Sequence, residues 1–376
     1  MSTALKTAVP TNPVFNNRKL RLGTFSSNLE HGCAMTDIEG VLRISWDASL
    51  ELARLANEME FEALVPVGRW KGFGGKVDFN GRGFECFTWA AAMGVAVPYP
   101  AVFSTSHIST IHPLMAAKQA ASIDHISGGR FVLNVVTGWN RPEMEMFGVE
   151  MADHDTRYDM AAEWIEIVKK LWTAEEPIDH EGTYYRLTQA LVSPHPIQQP
   201  HPPVMCAGGS PKGLAFSAKY CDIAFILVDM HDPGKTRDQV AELRRVAREE
   251  HGNPNLQVWA SAYVVVRDTE KEAKRFLHHY VDERGDWEGA TGIVNSFGMN
   301  SQTLTPDVLD QFKRHFIAGW AGYPLIGTKE QVVDGLELLV DFVGLDGVVL
   351  SWADYRAGMI RFRDEVIPLL KQAGLR

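Results

Sequence analysis

Apolar positions fall along this chain in two alternating patterns, short continuous runs and stripes at helical spacing, and their order predicts the fold. The clearest run is Arg130 to Val136, RFVLNVV, mostly apolar and β-branched, as suits a strand covered on both faces in a parallel sheet. A helix over Pro113 to Ile126 precedes it and stops at Ser127-Gly128-Gly129, where glycine supplies a left-handed C-cap. Thr137-Gly138-Trp139 follows and opens a long polar loop. Similar runs predict strands at Lys19 to Ser26, Ala63 to Val67, Val102 to Thr105, Val204 to Ala207, Asp222 to Val228, Trp259 to Val266 and Gly347 to Ser351.

Helical stripes lie between these runs. Ser45 or Asp47 caps a helix whose Leu52, Leu55, Ala56 and Met59 share one face, and Phe84 to Gly94 forms a second. Ala161, Trp164, Ile165, Val168, Leu171 and Trp172 make the most regular stripe, and Val332, Val333, Leu336, Leu339 and Val340 another. Gly208-Gly209-Ser210-Pro211 opens a further helix, and the last one ends near Lys371. Asp179 to Leu187 reads as a hairpin excursion, and SPHPIQQPHPP leads from it to the strand at Val204. Strand and helix alternate without internal repeats or a linker, which predicts an α/β fold, a single (β/α)8 TIM barrel with insertions over residues 19–376. A flexible N-terminal arm over 1–18 precedes it, and the weak periodicity of 277–323 predicts a lid-like insertion.

Composition narrows the partners. The chain has 376 residues, 45% hydrophobic and 22% charged, with a net charge of -10, and the pI is near 5.7. That balance argues against nucleic acid or an acidic membrane surface as the main partner. Cys33, Cys86, Cys206 and Cys221 form no close pair, so neither a zinc site nor a disulfide scaffold is indicated. The first residues lack an apolar core and no later run reaches about 18 apolar residues, so a cytoplasmic protein is expected.

Few residues offer chemistry of their own. Asn134 puts a carboxamide into an otherwise apolar strand, where it must be satisfied or aimed at a ligand. The free N–H groups of Gly208 to Pro211, at a helix start, could receive a phosphate or form an ordinary turn. There is no GxGxxG, HExxH or GxSxG, and Gly234-Lys235-Thr236 lacks the first glycine and feeding strand of a P-loop. His107 and His112 flank the exit of the third strand, where a barrel would display them to a substrate. Glu143, Arg157 and Tyr158 follow the fourth strand, where a guanidinium could pair with phosphate or merely form a solvated face. No acid/base dyad, nucleophile or metal cluster emerges, so the chemistry is assigned to an organic cofactor.

GFGGK, IDHISGGRF, NVVTGW, RPE, RY and CAGGS together, across residues 20–370, resemble the bacterial luciferase-like flavin monooxygenases, most closely the pyrimidine and dimethyl sulfone monooxygenase branch. The resemblance implies FMN at the C-terminal mouth of the barrel, touched by Gly68, Arg69, Asn134, Glu143, Arg157, Tyr158, Gly209 and Ser210. It also implies that Thr105 and Asn134 hydrogen-bond O2 beside the flavin, with oxygen attaching at N5 before transfer to an electron-poor carbon. FMNH2 would come from a separate NAD(P)H-dependent flavin reductase, and a homo-oligomer, dimer or tetramer, is expected. The first loop, SNLEHGCAMTDIEG, departs from the pyrimidine enzyme, as do Gly68-Arg69, His107 and His112. A related N-heterocycle or another small electrophile is therefore expected rather than uracil, with His107, His112 and Trp139 as candidate substrate contacts. The alternatives are an alkyl sulfone or sulfonate monooxygenase working through a C4a-peroxide, an F420-dependent dehydrogenase, and a non-enzymatic flavin-binding subunit.

Overall fold

A computed structural model of the chain describes residues 12–297 and 305–376. Its strands are β1 (Arg21–Phe25), β2 (Ala63–Val65), β3 (Ala101–His107), β4 (Phe131–Val136), β5 (Ile178–Glu181), β6 (Arg186–Ala190), β7 (Val204–Cys206), β8 (Ile223–Ile226), β9 (Gln257–Val266), β10 (Tyr323–Gly327) and β11 (Gly347–Ser351). Its helices are α1 (Trp46–Glu58), α2 (Cys86–Ala96), α3 (Pro113–Ser127), α4 (Arg141–Met146), α5 (His154–Thr173), α6 (Pro211–Tyr220), α7 (Pro233–His251), α8 (Glu270–His278), α9 (Trp287–Ser296), α10 (Pro306–Gly319), α11 (Lys329–Glu337), α12 (Tyr355–Arg361) and α13 (Ile367–Gln372).

Eight parallel strands close into a barrel in the order β1-β2-β3-β4-β7-β8-β9-β11, with β11 pairing back to β1. The strands carry no polar alternation because both of their faces are covered, and every residue of β3, β9 and β11 is buried. Ala63, Phe103, Val132, Met205, Trp259 and Val349 meet inside the barrel. The helices lay their apolar stripes on the outside, including Trp164, Val168 and Leu171 of α5. α1 begins at the Ser45 cap, whose side chain accepts from Ala48 N, and α3 ends on Gly128 at φ 66°.

The end of the barrel away from the active mouth is closed by the segment before β1. Val14 is fully buried in the inner cluster, and its carbonyl accepts from Gln257 Nε2 at 2.8 Å. Of the arm expected over 1–18, residues 1–11 lie outside the described residues, while Asn12 and Val14 are packed into the barrel floor.

Several elements differ from the pattern reading. α7 lies between β8 and β9 where no helix was read, because its long polar face, PGKTRDQVAELRRVAREEH, leaves only Thr236, Val240, Leu243 and Ala247 buried. Gly234-Lys235-Thr236 is the first turn of this helix, capped by Asp232, and not a nucleotide loop. α2 starts two residues later than expected because the Glu85 carboxylate caps it, accepting from Phe87 N and Thr88 N. β10 falls at the end of the expected insertion and pairs with the outer half of β9, Tyr323 opposite Ala262 through Gly327 opposite Val266. The rest of that insertion contributes α9 and α10, and its residues 298–304 lie outside the described residues.

Candidate active site

The C-terminal ends of β1, β2, β3, β4, β7 and β8 surround a cavity of about 120 Å³, lined among others by Phe25, Gly68, Thr105, Asn134, Met205 and Phe225. Thr105 and Asn134 stand opposite each other in the β3–β4 register, so the two side chains emerge next to one another. Asn134 Nδ2 donates to Thr105 Oγ1 at 3.0 Å, and Thr105 Oγ1 donates to the Pro66 carbonyl at 2.7 Å. Asn134 Oδ1 is buried and has no partner. An orphaned carboxamide oxygen in a dry cavity costs about 1–3 kcal/mol unless a ligand completes it.

His107 ends β3 in the same cavity, 4% exposed. Burial, reinforced by the Arg69 cation, pushes its pKa down to about 4, so the ring is neutral at physiological pH. Gly68 is what allows the loop after β2 to approach it, since a Cβ there would come within 2.8 Å of His107 Cε1. His112 does not join this group. It is the N-cap of α3, its Nδ1 accepting from Leu114 N at 3.3 Å and its ring edge-on to Tyr185, and it is not among the residues lining the cavity.

Arg69 projects over the cavity with its side chain 4% exposed. Its guanidinium lies 4.8 Å from the Trp139 ring, 5.4 Å from Trp320 and 5.5 Å from Phe73, all within cation–π range. Trp139 stacks on Phe297 at 4.5 Å and 17°. Trp320 is brought in by a left-handed backbone at φ 53°, an unfavourable conformation for a bulky residue, at the end of α10. Glu143 sits behind this group, fully buried, and is not among the residues lining the cavity. Its Oε1 accepts from Trp70 N at 2.9 Å and Lys71 N at 3.3 Å, and its Oε2 lies 3.5 Å from Arg69 Nη1. The loop is held a second time by Asp286, which accepts from Val77 N and from Gly289 N, both at 2.9 Å. The insertion and the glycine-rich loop are thus tied together.

A second polar group lies at the start of α6. Ser210 caps the helix, its Oγ accepting from Gly213 N at 3.1 Å and meeting His154 Nε2 at 3.0 Å. His154, Arg157 and Tyr158 occupy positions i, i+3 and i+4 of α5 and so share one face. Gly208 and Gly213 leave room for the Tyr158 phenol, since a Cβ on either would come within 2.6 Å of its oxygen. Burial raises the pKa of that phenol, and the buried Arg157 Nε has no partner. Gly209 faces open space. Free N–H groups, a cation, a phenol and an open glycine suit a phosphate.

His154, Phe73, Phe297 and Trp320 were missed in the sequence. A signal existed for the first, because HDTRY sets His154 one helical turn before Tyr158. Phe297 and Trp320 come from the insertion, where no local pattern fixes direction. Among the described residues, no group of His, Cys, Asp or Glu is placed to hold a metal ion, and no helix is long and apolar enough to cross a membrane.

A parallel (β/α)8 barrel with an orphaned amide and a free helix start at its C-terminal mouth belongs to the class of α/β barrels that carry their site at that end. The chain belongs to the luciferase-like monooxygenase family, whose description matches residues 20–345, and it is a flavin-dependent monooxygenase. It is 27% identical over 356 residues to the pyrimidine monooxygenase RutA of Serratia proteamaculans, covering 94% of this chain and 96% of that protein. Among solved structures it is similar to a riboflavin lyase, RcaE, with modified FMN and riboflavin (TM-score 0.84, 22% identity, 95% of this chain and 92% of that one). It is also similar to DmoA from Hyphomicrobium sulfonivorans (TM-score 0.81, 21% identity, 95% and 89%). At those identities the two structures speak for the fold.

Proposed function

We propose that this chain is the oxygenase half of a two-component system, binding FMN that a separate NAD(P)H-dependent reductase has reduced and placing one atom of O2 into a small organic substrate, an N-heterocycle. The observation that carries the reading is Asn134, a buried amide with a free oxygen beside Thr105 in a cavity whose other polar side chains are Arg69 and His107. Reduced FMN, when bound, supplies the electrons for oxygen activation. This chain's own residues bind, orient and exclude water.

Ser210, Gly209, Arg157, Tyr158 and His154 would hold the phosphate. The Gly68 main chain and Asn134 would meet the ring, and Arg69 stands at the edge of that space, set there by Glu143. Asn134 Nδ2 donates to Thr105, so the amide offers the cavity an acceptor; a turned amide, with Thr105 Oγ1 donating to it in place of the Pro66 carbonyl, would be a second setting and would offer a donor. The second setting suits negative charge developing on oxygen. The neutral His107 ring adds a polar atom without a competing charge. Phe73, Trp139, Phe297 and Trp320 would keep water out, which supports a lid role for the insertion that supplies the last two.

The likeness to a pyrimidine monooxygenase favours an N-heterocycle over a sulfone or sulfonate, and membership in a monooxygenase family favours FMN over F420. Self-association is part of the proposal, with the exposed Val95 on α2 and Met115 and Ile126 on α3 as candidate contacts. A cytoplasmic setting accords with four cysteines that are all free. Fluorescence titration with FMN, riboflavin and F420 tests the cofactor: FMN binding more tightly than riboflavin is expected, and preferential binding of F420 would overturn the reading.

A further inference from the structure

The Arg69 guanidinium is used on one side only. Nη1 donates to the Gly68 carbonyl at 3.1 Å and approaches Glu143 at 3.5 Å. Nε is buried without a partner, and Nη2 donates to no acceptor among the described residues. Nε–H and Nη2–H are parallel donors on one edge of the planar group, the fork that receives both oxygens of a carboxylate. The faces of the group are meanwhile occupied by Trp139, Trp320 and Phe73.

Glu143 offsets this cation only in part. Its distance is long for a charge-assisted bond, and its other oxygen is shared by two main-chain amides. No other carboxylate lies within 4 Å of Arg69 among the described residues. A buried cation with a free fork is costly unless an anion arrives to complete it. Trp139 lines the cavity beside Arg69, backed by Phe73 at 9° and Phe297 at 17°, so the wall next to that anion is one flat ring.

We propose that the free edge of Arg69 is the receptor for the carboxylate or ring oxyanion of a planar aromatic substrate, making this an oxygenase of aromatic or N-heterocyclic acids. This rests on the monooxygenase reading above and narrows its substrate class. It also moves Arg69 from the flavin, where the family resemblance put it, to the substrate. Glu143 then acts as a positioning residue, holding Arg69 in place without saturating it.

The test uses the full chain loaded with oxidised FMN and three probes: nicotinate, nicotinamide and cyclohexanecarboxylate. Binding is read from tryptophan quenching and the flavin absorbance, and FMN affinity is measured separately. Nicotinate should bind roughly ten-fold or more tightly than either of the others, which lack the charge or the plane. Arg69→Gln should abolish that preference while FMN affinity changes by less than roughly three-fold, and Arg69→Lys, which keeps the charge without the fork, should retain part of it. Equal affinity for the three probes in the unaltered protein would overturn the proposal even if a variant failed to fold. Loss of FMN affinity in Arg69→Gln with nicotinate binding intact would return Arg69 to the flavin. Failure of the unaltered chain to bind FMN would sink the oxygenase reading and this proposal together, whereas FMN binding without nicotinate binding sinks this proposal alone.

Discussion

Arg69 Nη1 and Glu143 Oε2 meet at 3.5 Å, with the arginine side chain 4% exposed and the glutamate fully buried. Burial pulls the guanidinium pKa down and Glu143 pulls it back up, so the pair is the main electrostatic balance at the mouth of the barrel. Because Glu143 also anchors the Trp70 and Lys71 amides, it couples the loop's shape to Arg69's charge.

Glu143→Gln keeps the volume and leaves a buried cation uncompensated. Urea unfolding should show a loss of about 3 kcal/mol, and adding Arg69→Gln should recover a large part of it. Additive losses from the two substitutions would show that the pair is not coupled.

Asn134→Ala removes the orphaned oxygen and the bond to Thr105 without touching the outer core. The folded barrel and FMN binding should persist while substrate oxygenation falls on the order of 100-fold, the usual cost of one preorganised donor. Rapid mixing of the reduced enzyme with O2, with product quantified, measures this. Unchanged product yield would remove Asn134 from the chemistry.

Ser210→Gly separates the phosphate contact from the helix cap, because glycine at an N-cap costs only about 0.3 kcal/mol. FMN should bind roughly ten-fold more weakly while riboflavin, which lacks the phosphate, is unaffected. Equal weakening of both would place Ser210 away from the phosphate.

His107 makes stability depend on pH. Its folded pKa near 4 lies below the ordinary 6.5, so between those values the unfolded chain takes up a proton that the folded chain refuses. The contribution of the neutral ring is complete above pH 6.5 and is lost as pH falls through about 4, amounting to roughly 3 kcal/mol by pH 4. Unfolding free energies of the unaltered protein and His107→Asn, compared from pH 7.5 to 4, should converge or cross by that amount. A pH-independent difference would mean that the histidine titrates normally.

The barrel was legible because its strands are buried on both faces: β4, β9 and β11 announce themselves as apolar runs, and Gly128 marks the end of α3. α7 was not, since a helix that buries only one residue in several carries little apolar signal, and β10 hid behind the polar and glycine positions before it. Within the site, Thr105 and Asn134 converge from the C-terminal halves of β3 and β4, and Gly68 and Arg69 from the loop after β2, the end of the barrel that the order of strands and helices already marks. His112 resembled them in sequence, yet the Pro113 after it starts α3 and turns its ring to capping. Trp320 and Phe297 depend on how the insertion folds back over the mouth, which no local spacing encodes.

The central claim is tested most directly by supplying the protein with FMN, a flavin reductase, NAD(P)H and isotopically labelled O2, together with a panel of N-heterocyclic acids, neutral N-heterocycles, sulfones and alkanesulfonates, and following products by mass spectrometry. One labelled oxygen atom in an N-heterocyclic product is the predicted result. Label only in a sulfone or sulfonate product would contradict the substrate class, and no label in any product, with turnover appearing only when F420 replaces FMN, would contradict the proposed oxygenation itself.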